Sequence, residues 1–417
     1  MKESTDLGLV CLLAFSLMPL LAEPDPVSRR SVPDTGTIVL TDFSGARDWG
    51  PELIHFSLDT RRFKPGRLAL LDADGKAVPF QVEDGELAFV AVLKKGSSKT
   101  WQLQHSDQDR SGENSSLKIS RTTDGIEAGN EFFALRMPKA MSKAFPEPVT
   151  AAEVPAPLRQ WQQNGQGWIG GARLVSHRKV KSYVHSVVRN GPACFEFEAR
   201  YRFVPKGEYV IRIQISTGVP LAEVTEEYDF GEITDGRDFL MLDLHAGWNP
   251  QYIGLIGQQS EARSIPPFTS NPISKYLDGK RKPAASTPPV GGTGNAPSPV
   301  VPEAGYVLLE KCVPAGKWGG YRGGIQLWDG DAKNPSAGRR ITLGLLSAGS
   351  WRKTNSVNLW YREGVGISVA LPISVRRIQW SLDIADDVSP FSTHEHDEGL
   401  SQSYGRRVWG LYFGDLA

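Results

Sequence analysis

Between residues 195 and 203 apolar and charged side chains alternate without a break: Phe195, Phe197, Ala199, Tyr201 and Phe203 against Glu196, Glu198, Arg200 and Arg202. A period of two predicts a strand with one face buried. After Pro205-Lys206-Gly207-Glu208 the alternation resumes, with Tyr209, Ile211, Ile213 and Ile215 on one face and Val210, Arg212 and Gln214 on the other. The two segments predict a hairpin. A third, Ala222 to Tyr228, keeps the period and carries Glu223, Glu226 and Glu227, which can face the arginines across a sheet. A sheet with one greasy and one charged face forms half of a sandwich.

The rest of the chain extends this pattern. From Thr37 to about His105 short strands are punctuated by turns, Asp74-Gly75 and Asp84-Gly85 being strong hairpin signals, and they predict a small β-barrel-like module over 37–106. Two strands around Asp124-Gly125 follow, then a Pro/Ala-rich connector from Pro146 to Pro157. Residues 278–304 hold almost nothing that could enter a core and predict a flexible linker. Strand patterns resume beyond it, with no amphipathic helix of real length and no regular repeat. The chain is expected to be all-β: the small module, then a large antiparallel β-sandwich in two parts, 107–277 and 305–417.

Met1-Lys2 precedes an apolar run from Leu7 to Ala22, then Glu-Pro-Asp-Pro. This predicts a secretory signal over 1–22, followed by a loose leader over 23–36. At about 16 residues the run is short for a spanning helix, so the expected location is secreted or periplasmic, with no stable membrane insertion after removal. Cys11 leaves with the signal; Cys194 and Cys312 could form one disulfide or remain two buried thiols.

Lys plus Arg (47) equals Asp plus Glu (47), so no global field attracts nucleic acid. With 40% hydrophobic and 23% charged residues the chain can bury ordinary cores. No Cys/His metal spacing, phosphate loop, serine elbow or dinucleotide fingerprint occurs, and neither metal nor cofactor is expected. His394, His396 and Glu398 are the densest polar ligands, but Pro390, Ser392 and Gly399 around them favour a solvated loop.

Gly66-Arg-Leu-Ala-Leu-Leu-Asp-Ala-Asp-Gly-Lys-Ala-Val-Pro-Phe-Gln-Val82 resembles the small β-barrel that opens exo-rhamnogalacturonan-lyase-like proteins, with its Asp-x-Asp-Gly and x-Val-Pro-x-Gln hairpin. The sheet 195–228, ending in Glu226-Glu-Tyr-Asp-Phe, is similar to the large β-sandwiches of the galactose-mutarotase-like group in carbohydrate-active enzymes. In such proteins β-regions commonly flank a helical toroid or another catalytic domain; no toroid is predicted here. The resemblance implies an exported carbohydrate-active protein: the β-rich portion of a polysaccharide-lyase-like enzyme, acting on or binding acidic polysaccharide. The alternative is a non-catalytic carbohydrate-binding or structural β-sandwich module of the cell envelope.

Candidate chemistry follows from residue type. Trp318-Gly-Gly-Tyr321-Arg322-Gly-Gly places an indole, a phenol and a guanidinium among glycines, and Trp168, His245 and Trp248 repeat the theme. Sugars are held this way, rings stacking on aromatic faces while polar groups take hydroxyls or a uronate; each could equally be a core aromatic at a strand end. Lyase chemistry needs a base for the proton α to a uronate, and His177, Tyr183 and His185 are eligible. A hydrolase would want opposed carboxylates, such as Glu226 or Glu227 with Asp383 or Asp387. Glu226 and Glu227 are more simply cross-strand partners of Arg200, Arg202 and Arg212, and Arg406-Arg407 and Lys179–Lys181 read as solvated charges.

Overall fold

The computed structural model describes residues 31–45, 48–163, 165–176, 178–231, 237–245, 252–256, 306–308, 316–321, 324–328, 340–348, 357–362, 366–370, 373–376 and 404–414. The strand pairings among them are antiparallel, and the only helical turn is a single 3-10 turn, Ala151–Glu153. The chain is all-β, as its alternation requires.

The N-terminal module is two three-stranded sheets. One sets β1 (Thr37–Thr41) beside β6 (Ser98–His105) and β3 (Leu68–Asp72); the other sets β2 (Trp49–Ser57) beside β5 (Glu86–Leu93) and β4 (Phe80–Glu83). Both feed one core, where Phe89 meets Trp101 edge to face with centroids 5.2 Å apart. Asp84 (φ 50°) and Gly85 (φ 76°) make the expected tight turn between β4 and β5; two consecutive positive φ values are what a two-residue hairpin loop of type I′ demands. Among the described residues these are two small sheets rather than one closed barrel.

The larger body has three sheets. β7 (Lys118–Arg121), β8 (Gly125–Gly129), β9 (Phe133–Pro138) and β11 (Gln160–Gln163) form a four-stranded sheet. A ten-stranded sheet begins at β10 (Met141–Val149) and runs through β13 (Lys179–Asn190), β14 (Cys194–Val204), β15 (Glu208–Ser216) and β16 (Leu221–Asp229). It continues through β26 (Tyr404–Tyr412), β22 (Arg340–Ala348), β21 (Gly324–Trp328), β18 (Tyr252–Ile256) and β19 (Tyr306–Leu308). The third sheet orders β12 (Gly171–Ser176), β17 (Arg237–His245), β24 (Gly366–Ala370), β23 (Val357–Arg362) and β20 (Gly316–Tyr321), with β25 (Ile373–Arg376) also on β17. One core joins all three, because Phe195, Phe197, Ile211, Ile213, Val224 and Trp409 of the large sheet pack with Leu135 and Trp161 of the four-stranded sheet and Leu174 and Leu242 of the third. Residues 278–304, with His394, His396 and Glu398, lie outside the described residues.

The outer face of the large sheet carries the expected charges in a linked array. Arg212 pairs with Glu198 at 2.9 Å and with Glu227 at 3.2 Å, Arg202 with Glu208 at 3.2 Å, and Arg406 with Glu227 at 3.6 Å. The N-terminal module rests on this face: Arg189 meets Glu86 at 3.3 Å, and Gln81 Oε1 accepts the Cys194 N–H at 3.2 Å. Cys194 itself is a buried free thiol, and Cys312 lies outside the described residues.

The Pro/Ala-rich connector 146–157 is packed, with Ala151, Val154 and Ala156 buried in the main core; Thr150 N–H and Oγ–H both bind Glu153 Oε2, at 2.8 and 2.7 Å, and pin the turn. One expectation is corrected. Arg407 is not a solvated charge. It is 2% exposed and faces inward with Glu226, which is 1% exposed and pairs with none of Arg200, Arg202 or Arg212.

Candidate functional site

Strand register assembles the polar residues of the inner face into two adjacent rows. Tyr183 is opposite Tyr201, Tyr201 opposite Tyr209, and Tyr209 opposite Tyr228. Two residues along, on the same face, the next row runs His185, Ala199, Ile211, Glu226 and Arg407. Period two keeps i and i+2 on one side, so both rows share the inner face, while the register sets the partners.

Glu226 is fully engaged. Tyr209 donates to its Oε1 at 2.5 Å, while Trp409 Nε1–H at 2.9 Å and Arg407 Nε–H both donate to Oε2. A carboxylate so held, buried with both oxygens engaged, serves the structure. Burial and the neighbouring Glu226 push the Tyr209 phenol well above its ordinary range.

His185 is different. The Tyr201 hydroxyl donates its one proton to the Pro155 carbonyl at 2.7 Å, so the 3.1 Å contact with His185 Nε2 must have the imidazole as donor. Nδ1 then carries a lone pair and has no hydrogen-bond partner among the described residues, in a side chain 2% exposed. Burial pulls the imidazole down to about 4, so it is neutral at pH 7. Tyr183 lies beside it, ring centroids 4.8 Å apart, and is itself buried. Two of the three eligible bases therefore meet, but inside the core; His177 is outside the described residues.

A second constellation stands on the solvent side. On the four-stranded sheet Arg136 is opposite Glu127 on one side and Gln160 on the other. Its Nε donates to Glu127 Oε1 at 2.7 Å and its Nη1 to Gln160 Oε1 at 2.9 Å, while the guanidinium lies 4.0 Å from the Trp168 ring centroid. Two polar bonds and a stacked ring fix this cation. Nη2 makes no hydrogen bond among the described residues, and the side chain is 35% exposed. Trp168 is half-buried. Gly171 pairs with His245 across β12 and β17, so Trp168, three residues earlier, and His245 come to the same end of one strand pair.

The remaining candidates spread out. From His245 the row continues through Ser368 and Trp360 to Lys317, beside Trp318, three strands away. At roughly 4.8 Å per strand that is about 14 Å, too far for one sugar ring to span. Trp318 sits where the β20–β23 register shifts, between Lys317 and Gly320, and Tyr321 ends β20 at the edge of its sheet. Trp248 and Arg322 lie outside the described residues. Arg136, Glu127 and Gln160 escaped the sequence reading, since an outward Arg facing a Glu is what any solvated strand pair shows. Glu226 and Arg407 left a signal: Glu226 shares the parity of Ala222 and Val224, and Arg407 that of Trp409 and Leu411.

No family model matches the chain, and no curated protein matches it. Among solved structures it is similar to a protein in glycosyl hydrolase family 38 from Enterococcus faecalis, at 11% identity, a TM-score of 0.41, and 92% of this chain against 45% of that one. An α-mannosidase from Enterococcus faecalis V583 is similar at 10% identity, a TM-score of 0.41, and 91% against 44%. The chain spans less than half the length of either. Likeness at this level leaves the chemistry to be argued from the residues.

Proposed function

We propose that this chain is a glycan-binding β-region of an exported carbohydrate-active protein, and that it holds acidic polysaccharide at the Trp168–Arg136 platform. The observation that carries this reading is the open Nη2 edge of Arg136, on a guanidinium already fixed by Glu127, Gln160 and the Trp168 ring. A planar, immobilised guanidinium whose Nη2 makes no hydrogen bond among the described residues suits a uronate carboxylate, since little further side-chain entropy is lost on binding. Binding is favoured over turnover because Tyr183 and His185 are enclosed in the core and Glu226 has no unoccupied oxygen. A secreted or periplasmic location belongs to the same proposal, resting on the apolar run Leu7 to Ala22.

The test is titration calorimetry of the mature chain with oligogalacturonate, rhamnogalacturonan and alginate fragments, alongside absorbance of unsaturated uronates. Binding without new absorbance, weakened roughly tenfold or more by Arg136→Met, is expected. Equal affinity of the Arg136→Met protein would overturn the site. New absorbance abolished by His185→Gln or Tyr183→Phe would make the chain a lyase instead.

A further inference from the structure

The N-terminal module carries an open cleft of about 320 Å³, between the ends of β1 and β5 and the start of β2. Leu40, Ile54 and Ala91 belong to the module core or pack against it and form the floor; Phe43, Trp49 and Glu52 stand around the mouth. Phe43 is 90% exposed and Trp49 37% exposed. Paired exposed aromatics over a concave surface are what a ring-shaped ligand covers.

Backbone geometry builds the mouth. Trp49 is opposite Leu93 and Glu52 opposite Ala91, so β2 spends three residues where β5 spends two. That bulge turns Trp49 and Glu52, which regular alternation would put on opposite faces, to the same side. Asp42 then fixes the indole. Its carboxylate accepts the Ser44 N–H at 2.9 Å, the Ser44 hydroxyl at 2.7 Å, the Gly45 N–H at 3.1 Å and the Gly96 N–H at 2.8 Å, and takes the Trp49 ring N–H as well. Those bonds, the Ser44 hydroxyl foremost, hold the Asp42 carboxyl well below the usual carboxylate range. Asp42 is thus a support, and the charge left for a ligand is Glu52, which is exposed and has no hydrogen bond or ion pair among the described residues.

We propose that this cleft is a second glycan subsite, taking an uncharged pyranose unit with a ring face on Trp49 and Phe43 and hydroxyls donated to Glu52. A preorganised aromatic face and a free acceptor match the C–H face and hydroxyls of a neutral sugar. A uronate is disfavoured, because the described lining residues carry Asp42 and Glu52 and no basic side chain. The subsite is separate from the Trp168–Arg136 platform and does not depend on it.

The experiment is calorimetry with neutral hexasaccharides of glucose, galactose and mannose, and with hexagalacturonate, on the full chain in wild-type and Trp168→Ala backgrounds. At least one neutral hexasaccharide is expected to bind in both, and to lose roughly tenfold or more affinity with Trp49→Ala. Because Trp49→Ala also removes a partner of Asp42, Phe43→Ala provides the control: this side chain is nearly all in solvent, so a weakened complex with unchanged melting reports ligand contact. Glu52→Gln should weaken neutral sugar less than Trp49→Ala does. Absence of neutral binding, neutral binding lost in Trp168→Ala but kept in Trp49→Ala and Phe43→Ala, or hexagalacturonate lost with Trp49→Ala would each overturn the subsite. Loss of hexagalacturonate with Trp168→Ala alone bears only on the platform.

Discussion

Glu226 and Arg407, 181 residues apart in the chain, lie opposite each other on β16 and β26 and form an ion pair almost wholly removed from solvent. The pair ties the last described strand to the middle of the large sheet. It also explains why an acidic residue stands on an otherwise apolar strand face: Glu226 gathers Arg407, Trp409 and Tyr209 around one carboxylate.

Breaking that pair from one side should be costly. Arg407→Met leaves a buried carboxylate without its counter-charge and should cost about 3–5 kcal/mol in urea unfolding. Glu226→Gln together with Arg407→Met should recover a large part, because an amide retains an acceptor for Tyr209 or Trp409 without a charge to desolvate. Additive losses in the cycle would show that the two side chains are not coupled.

His185 should make stability fall with acid. Its folded value, about 4, lies below its ordinary 6.5, so the unfolded chain binds the proton first as pH drops. The contribution is whole above pH 6.5 and is lost as pH falls towards 4, on the order of 3 kcal/mol. His185→Phe, which keeps the Tyr201–Pro155 hydrogen bond, should flatten the acid limb in that window; parallel wild-type and variant limbs from pH 7 to 4 would contradict the burial.

Gly170→Ala should destabilise the loop that carries Trp168. Gly170 has φ +80°, and a Cβ there would lie 2.4 Å from the Trp161 ring, itself 2% exposed. Backbone strain and overpacking together should cost about 2–4 kcal/mol, visible as a lower melting temperature. Affinity for acidic glycan should fall with it, since Trp168 is two residues away.

Cys194 should be inert in the folded protein. Burial pushes its thiol up to about 11, and only the thiolate reacts. In a Cys11→Ser, Cys312→Ser background, labelling by an aromatic disulfide reagent at pH 8 should appear only across the unfolding transition. Native labelling at the unfolded rate would place this thiol at the surface.

The strands and their faces are legible in local alternation. Alternation from Phe195 to Phe203 and from Tyr209 to Ile215 is a local property, readable because each side chain's face is set by its own parity, and the buried set is the apolar one. The Asp84-Gly85 turn was equally local. Parity even carried the inward position of Glu226 and Arg407, though charge outweighed it in the reading of those residues as outward.

Which residues meet depends on the pairing of distant strands. Arg136 and Trp168, 32 positions apart, stack because β9 and β11 pair and the loop after β11 folds back; the ion pair of Glu226 needs a strand from beyond residue 400. The bulge that sets Trp49 and Glu52 on one side depends on the partner strand, two residues of β5 against three of β2. Strand identity is encoded within a few residues, whereas strand order and register minimise exposed apolar area over the whole core, and no window of sequence holds that balance.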